Sequence, residues 1–484
     1  MRMWTVALLM GTLTIIAAAD ARAIRESPVQ SPDDGGAEAM AVSAERVFSG
    51  LPPAAPYGTA APRDYGPLIR AVAAGDRMLR GAMALISDWD HDLAVQDLRR
   101  LRHEFGADHV RLYFDRGTGL TADERRALSA WGEETLRATE SPEGAEARSE
   151  AVAALSYEAS VQRFKERWAP LFEELDLAVV MPLGGGRLYQ DAESPLWSDP
   201  ELQEREIRSI VRKAKAWSDV DVVIGYDLVN EPIPPGSRPR HTRTWYWDWT
   251  EEEALEDLPE GDRALARIYD EVIRRIREFD KDRLVIIQPG PWGAPSGFPA
   301  LQHVHDDPRL VFSFHQYEPH TFTHLGATSL RDADVSRLEI DLAQVVYPQS
   351  ERKWSREGIR EMFEFVRQFQ TERERRTGRP CPVWIGEFGA TRFPDGDSLR
   401  RWVTDTLELM EEYRFGYAWF VYTAGVCPNW DHFGQYGPEG DAVATDAYFA
   451  AYRRGDPEYF AQFRDTVRPT FSILAEFMRR HAGR

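Results

Sequence analysis

The sequence predicts an α/β fold, a (β/α)8 TIM barrel with loop insertions on one face. Three observations predict it. Eight short apolar or β-branched runs lie at 81–87, 109–114, 177–183, 221–229, 283–289, 310–317, 382–388 and 416–422. Several are continuous rather than alternating, as in strands buried on both faces. Amphipathic stretches separate most of them. Leu265, Ile268, Tyr269, Val272, Ile273, Ile276 and Phe279 recur at helical spacing with charges between them, as do Leu399, Trp402, Val403 and Leu407. Finally, 484 residues with 43% hydrophobic content suffice for one large barrel with insertions. Eight strand-then-helix units favour that closure over a doubly wound sheet.

In chain order, Arg2 precedes an apolar run at 4–19, and Ala21-Arg22-Ala23 fits a small-x-small cleavage site. Residues 1–23 therefore read as a cleaved export signal, so the mature chain is expected to be secreted, periplasmic or extracellular. The run is shorter than the ~20 residues of a spanning helix, so no stable membrane insertion is expected. Residues 24–62, rich in Ala, Pro, Gly and acids, read as a flexible linker or arm. The barrel domain is expected over 63–484, with its main insertions at about 120–165, 232–260 and 423–463. Cys381 opens the seventh run and Cys427 lies past the eighth. Opposite barrel ends exceed the ~7 Å Cα limit of a disulfide, so two free thiols are expected.

The formal charge of -20 and pI of about 5.1 repel phosphates and anionic lipid, which excludes nucleic acid as a partner. A neutral carbohydrate polymer is compatible with this surface.

The chemistry-bearing residues sit at two strand ends. The fourth run closes in Tyr226-Asp227-Leu228-Val229-Asn230-Glu231-Pro232, the seventh in Trp384-Ile385-Gly386-Glu387-Phe388-Gly389. In a barrel all strand C-termini open on one face, so Glu231 and Glu387 are expected to converge there. Two opposed carboxyl groups are what glycoside cleavage needs. One protonates the departing oxygen, and the other attacks the anomeric carbon. Each negative charge also raises its neighbour's pKa, which helps to keep the acid protonated.

The NEP and GEFG motifs, each at the proper strand, resemble glycoside hydrolase family 5, the cellulase family. The likeness runs from about residue 80 to 484. It implies Glu231 as acid/base, Glu387 as nucleophile, and retaining double displacement on a β-linked glycan, either β-glucan (cellulose-like) or mannan. It implies no cofactor and no metal. Arg111, in Val110-Arg111-Leu112, resembles the family's strand-two arginine that supports the nucleophile. Asn230 corresponds to the asparagine that binds the 2-hydroxyl. His315-Gln316-Tyr317 resembles the HxY motif, whose Tyr contacts the nucleophile and whose His lines the sugar site. Trp419 is the expected aromatic platform under the reacting sugar, with Tyr422 as a competitor.

Two departures bear on the substrate. The family's histidine-bearing segment after strand three is replaced by Met181-Pro182-Leu183-Gly184-Gly185-Gly186, and the segment after strand eight is long. Trp245, Trp247 and Trp249 alternate in the insertion after strand four and read as sugar-stacking residues or as anchors of that loop. His303, His305, Asp306 and Asp307 read as a solvated loop on the far face rather than a metal site. The expected partner is carbohydrate, and the chain reads as a monomer. The competing readings are a non-catalytic carbohydrate-binding barrel and an exo-acting β-glycosidase on short oligosaccharides or glycolipids.

Overall fold

The structure, a computed structural model, describes residues 47–48, 51–86, 90–114, 118–137, 145–236, 260–325, 345–349, 354–425, 432–440 and 445–482. Eight parallel strands close a barrel in sequence order: β1 (Arg80–Ile86), β2 (His109–Leu112), β3 (Ala178–Gly184), β4 (Val223–Val229), β5 (Leu284–Ile287), β6 (Leu310–Gln316), β7 (Val383–Phe388) and β8 (Gly416–Ala424). β8 pairs back onto β1. Each predicted run overlaps one strand, and apart from Pro182 and Gly184 of β3 every strand residue is buried. The runs are continuous because one side chain of each pair fills the barrel while the next meets the helix layer.

The helix Glu260–Phe279 buries Leu265, Ile268, Tyr269, Val272, Ile273 and Ile276. Burying each large apolar side chain contributes about 1.5–3 kcal/mol, before the entropy of ordering it. Phe279 belongs to the same stripe but is the last helical residue and stays 36% exposed. The helix Gly396–Tyr413 begins where the Asp395 side chain accepts the Ser398 N–H, and it buries Leu399, Trp402, Val403 and Leu407. None of the described helices is long and apolar enough to cross a membrane.

Part of the segment read as a loose arm is seated on the barrel. The Tyr57 hydroxyl is 2.7 Å from His91 Nδ1, and the Tyr57 N–H donates to the Arg167 carbonyl. At Gly58 a Cβ would meet the Pro170 carbonyl oxygen at 2.3 Å, so only glycine allows that approach. Val47 and Phe48 are buried with Leu120 and Ala159. The expected export signal and Trp245, Trp247, Trp249 and Cys427 lie outside the described residues, whereas Cys381 is a buried free thiol. On the far-face loop, Asp306 and Asp307 pair with Arg379 and Arg277.

The described residues after β8 are tied to the barrel by hydrogen bonds. Gln435 Oε1 accepts from the Thr423 N–H and Oγ1, both at 2.9 Å. Arg468 donates to the Gly434 carbonyl and to Glu439, and the Arg392 N–H donates to the His432 carbonyl.

Candidate active site

The β6–β7 register sets His315 directly beside Glu387, after a shift between Phe314 and His315. Glu231 follows β4 two residues beyond its end, with φ of 50°. That left-handed conformation costs a non-glycine residue roughly 1–2 kcal/mol. The chain around it is held on both sides. The Asn230 N–H donates to the Gly184 carbonyl, the Ile233 N–H to that of Tyr189, and the Trp292 N–H to that of Pro232. The strain is thus sustained by neighbouring loops.

One carboxylate oxygen of Glu231, one of Glu387 and a His315 ring nitrogen all lie within 4.8 Å of one another. Carboxylates clustered this closely fit a retaining glycosidase, whose carboxyls stand ~5–5.5 Å apart, better than an inverting one, which needs more room for a water.

Arg111 is buried beneath this pair and serves two carboxylates at once. Its Nη1 donates to Glu387, and its Nε and Nη2 donate to Asp227 at 2.9 and 2.8 Å. Nη2 also donates to Asn230 Oδ1 at 2.6 Å, which fixes the amide orientation and turns the Asn230 NH2 the other way. Tyr317 donates its hydroxyl to Glu387 Oε2 at 2.8 Å. His315 Nδ1 lies 2.8 Å from Glu231 Oε1 and 3.7 Å from Glu387 Oε2.

These environments push the two carboxyls apart. Burial, aided by the charge of Glu387, raises the Glu231 pKa above its ordinary value against the pull of His315. Burial would raise Glu387 too, but His315, Arg111 and the Tyr317 hydroxyl outweigh it and hold Glu387 below the usual range. Burial lowers His315, and the two carboxylates override it, so its pKa is raised. A protonated Glu231 beside an ionised Glu387 is the state that double displacement starts from. Glu387 attacks the anomeric carbon while Glu231 gives its proton to the leaving oxygen. Glu231, now a base, then takes a proton from the water that cleaves the glycosyl ester.

The same three residues could hold a divalent metal ion. Such an ion would occupy the atoms the reaction uses, and so would compete with it.

Trp419 corrects the sequence reading. It is fully buried against Phe388 and Phe471, with ring centroids 5.1 Å from each, so it faces the helix layer. Tyr422 faces the same way and donates to the Asp97 carbonyl. Alternation puts the next residue, Phe420, on the barrel side, clustered with Met83, Leu85, Tyr317 and Phe433, and the register shift opposite Ala82–Ala84 returns Tyr422 to the helix side. At the β3 end, a Cβ on Gly185 would sit 3.1 Å from Asn230 Cβ and its φ is 140°, so glycine lets β3 close against Asn230.

Sequence reasoning missed Asp227, Gln288 and Phe433. The first two are polar residues inside apolar strand runs, and that was the available signal. Gln288 Nε2 donates to both Asp227 oxygens, at 3.0 and 2.9 Å. Phe433 comes from the post-β8 segment and packs 5.2 Å from Phe420 and 5.3 Å from His324.

Comparison with known proteins agrees with this site. The family model for Cellulase (glycosyl hydrolase family 5) matches residues 190–425, which contain both glutamates. Endoglucanase C of Acetivibrio thermocellus is 26% identical over 269 residues, covering 51% of this chain and 68% of its own. Endoglucanase C307 of Clostridium sp. matches to the same extent. The solved endoglucanase Cel5A of Thermotoga maritima aligns at 19% identity over 81% of this chain and 100% of its own, with a TM-score of 0.44. The chain matches the glycoside hydrolase family 5 model over the stretch that carries its glutamate pair, at the ends of β4 and β7.

Proposed function

We propose that this retaining β-glycan hydrolase is an exported endo-β-glucanase. The observation that carries the reading is the Glu231–Glu387 pair at retaining distance, with the acid raised and the nucleophile lowered. The glucan assignment draws on the similarity to chains named endoglucanases. Trp292 adds support on the acid/base side. It is 42% exposed, has φ of 53°, and is tied through its N–H to Pro232, the residue after Glu231. An exposed indole held there can stack on a leaving-group sugar. The Asn230 amide is turned to meet a 2-hydroxyl.

A second reading, exo action on short glycans, is favoured by Phe433. The leaving group departs toward Glu231, so the glycone lies toward β8 and β1. There Phe420, Phe433, Met83 and Leu85 form a packed apolar wall, which would limit the glycone to one or two sugars.

The test is turnover of cellulose, mixed-linkage glucan, mannan and aryl β-glycosides, with product lengths followed over time. Early mixtures of oligosaccharides from glucan support the endo-glucanase. Single short products from the start favour the exo reading. Mannan as the sole polymer cut would replace the sugar, and binding without turnover would favour a non-catalytic barrel. Export is tested by the N-terminal mass of the mature chain, which the reading puts at residue 24.

A further inference from the structure

We propose that Gln288 is a positioning residue for the acid/base, acting through the backbone of Glu231; the idea rests on the glycosidase assignment of that glutamate. The β4–β5 ladder ends at the Asp227–Ile286 pair, so the Glu231 N–H lies beyond the last strand pairing. Gln288 Oε1 accepts it at 3.1 Å. The other end of the same amide donates to both oxygens of Asp227, at 3.0 and 2.9 Å. Reversing the amide would set oxygen against carboxylate and NH2 against N–H, so both partners fix its orientation. The side chain is fully buried, and its own carbonyl accepts the Tyr269 hydroxyl at 2.8 Å. Gly293 leaves it room, since a Cβ there would lie 3.1 Å from Oε1.

Gln288 hydrogen-bonds neither catalytic carboxyl. It holds the left-handed turn that aims the Glu231 side chain, and it ties that turn to the plinth of the nucleophile. The connection runs from the Glu231 N–H through Gln288 and Asp227 to Arg111, and from Arg111 to Glu387. Removing Gln288 therefore disturbs proton delivery while Arg111 still anchors Glu387 through its own bonds.

The experiment compares two substrates that differ in their need for an acid. A cello-oligosaccharide has a poor leaving group that must be protonated, and a 2,4-dinitrophenyl β-glycoside does not. In Gln288→Met, kcat/KM on the oligosaccharide is expected to fall about 100-fold, and on the dinitrophenyl glycoside to stay within about three-fold. Gln288→Glu supplies a variant that retains the shape. When protonated it can accept the Glu231 N–H and donate to Asp227, but when ionised it opposes Asp227. Its oligosaccharide activity should therefore be near wild type in acid and fall away at lower pH than wild type, with the dinitrophenyl profile unmoved. Equal losses on both substrates in both variants, or no loss on either, would overturn the proposal. Failure of the glycosidase assignment would look different, because the wild-type protein would then turn over neither substrate.

Discussion

Replacing Tyr317 with Phe isolates one hydrogen bond to the nucleophile. The hydroxyl donates to Glu387 Oε2 at 2.8 Å, while the ring packs against His324 at 4.7 Å and lies 6.3 and 6.4 Å from Phe420 and Phe433. Phenylalanine keeps those ring contacts and loses only the donor. A hydrogen bond to a charged group is worth about 1.5–3 kcal/mol, and about 1.4 kcal/mol shifts a pKa by one unit. The bond favours the ionised form, so its loss should raise the Glu387 pKa by about one to two units. The assay is kcat/KM against pH on a chromogenic aryl β-glycoside, which reports groups of the free enzyme. The acid limb should move toward neutrality by that amount and the basic limb should stay in place, with the melting temperature nearly unchanged. An acid limb that does not move would refute the claim that Tyr317 stabilises an anionic Glu387.

The other expectations concern neighbouring groups. The wild-type profile should be bell-shaped: the Glu387 pKa is lowered, so activity is lost as pH falls through it, and the Glu231 pKa is raised, so activity is lost as pH rises through it. Arg111→Met leaves two buried carboxylates without their shared cation and should cost about 3–5 kcal/mol of stability by denaturant unfolding, together with the activity. Trp419→Phe should lower stability and leave KM unchanged, because Trp419 packs against Phe471 on the helix side; a raised KM would return it to the sugar site. Micromolar zinc should inhibit competitively with substrate and be reversed by chelation, since it would occupy Glu231, His315 and Glu387. Inhibition unaffected by substrate concentration would place the ion elsewhere.

The barrel was legible because strands buried on both faces leave long apolar runs, and one-sided helices leave stripes with charges between. Glu231 and Glu387 were legible because strand C-termini in a barrel must open on one face, whatever their separation in sequence. Which wall a β8 residue faces was not legible. A one-residue step along a strand reverses the side chain, and an unbroken apolar run such as Tyr417 to Tyr422 carries no polar alternation to set the phase. That is why Trp419 was read as the platform while Phe420 holds the barrel side. Asp227 and Gln288 act through other residues, and their pairing depends on β4 and β5 being neighbours. No local motif announces such a contact. Phe433 comes from a segment whose seat is set by long-range bonds to Thr423 and Arg468.

In double displacement Glu387 forms a covalent bond to the sugar, with Glu231 as its acid/base. Incubation with a 2-deoxy-2-fluoro β-glycoside carrying a good leaving group, followed by peptide mass spectrometry, tests it most directly. One glycosyl ester per chain is expected, on Glu387, with a first-formed product from natural substrate that retains its anomeric configuration by NMR. An inverted first product, or an ester on any other residue, would contradict it.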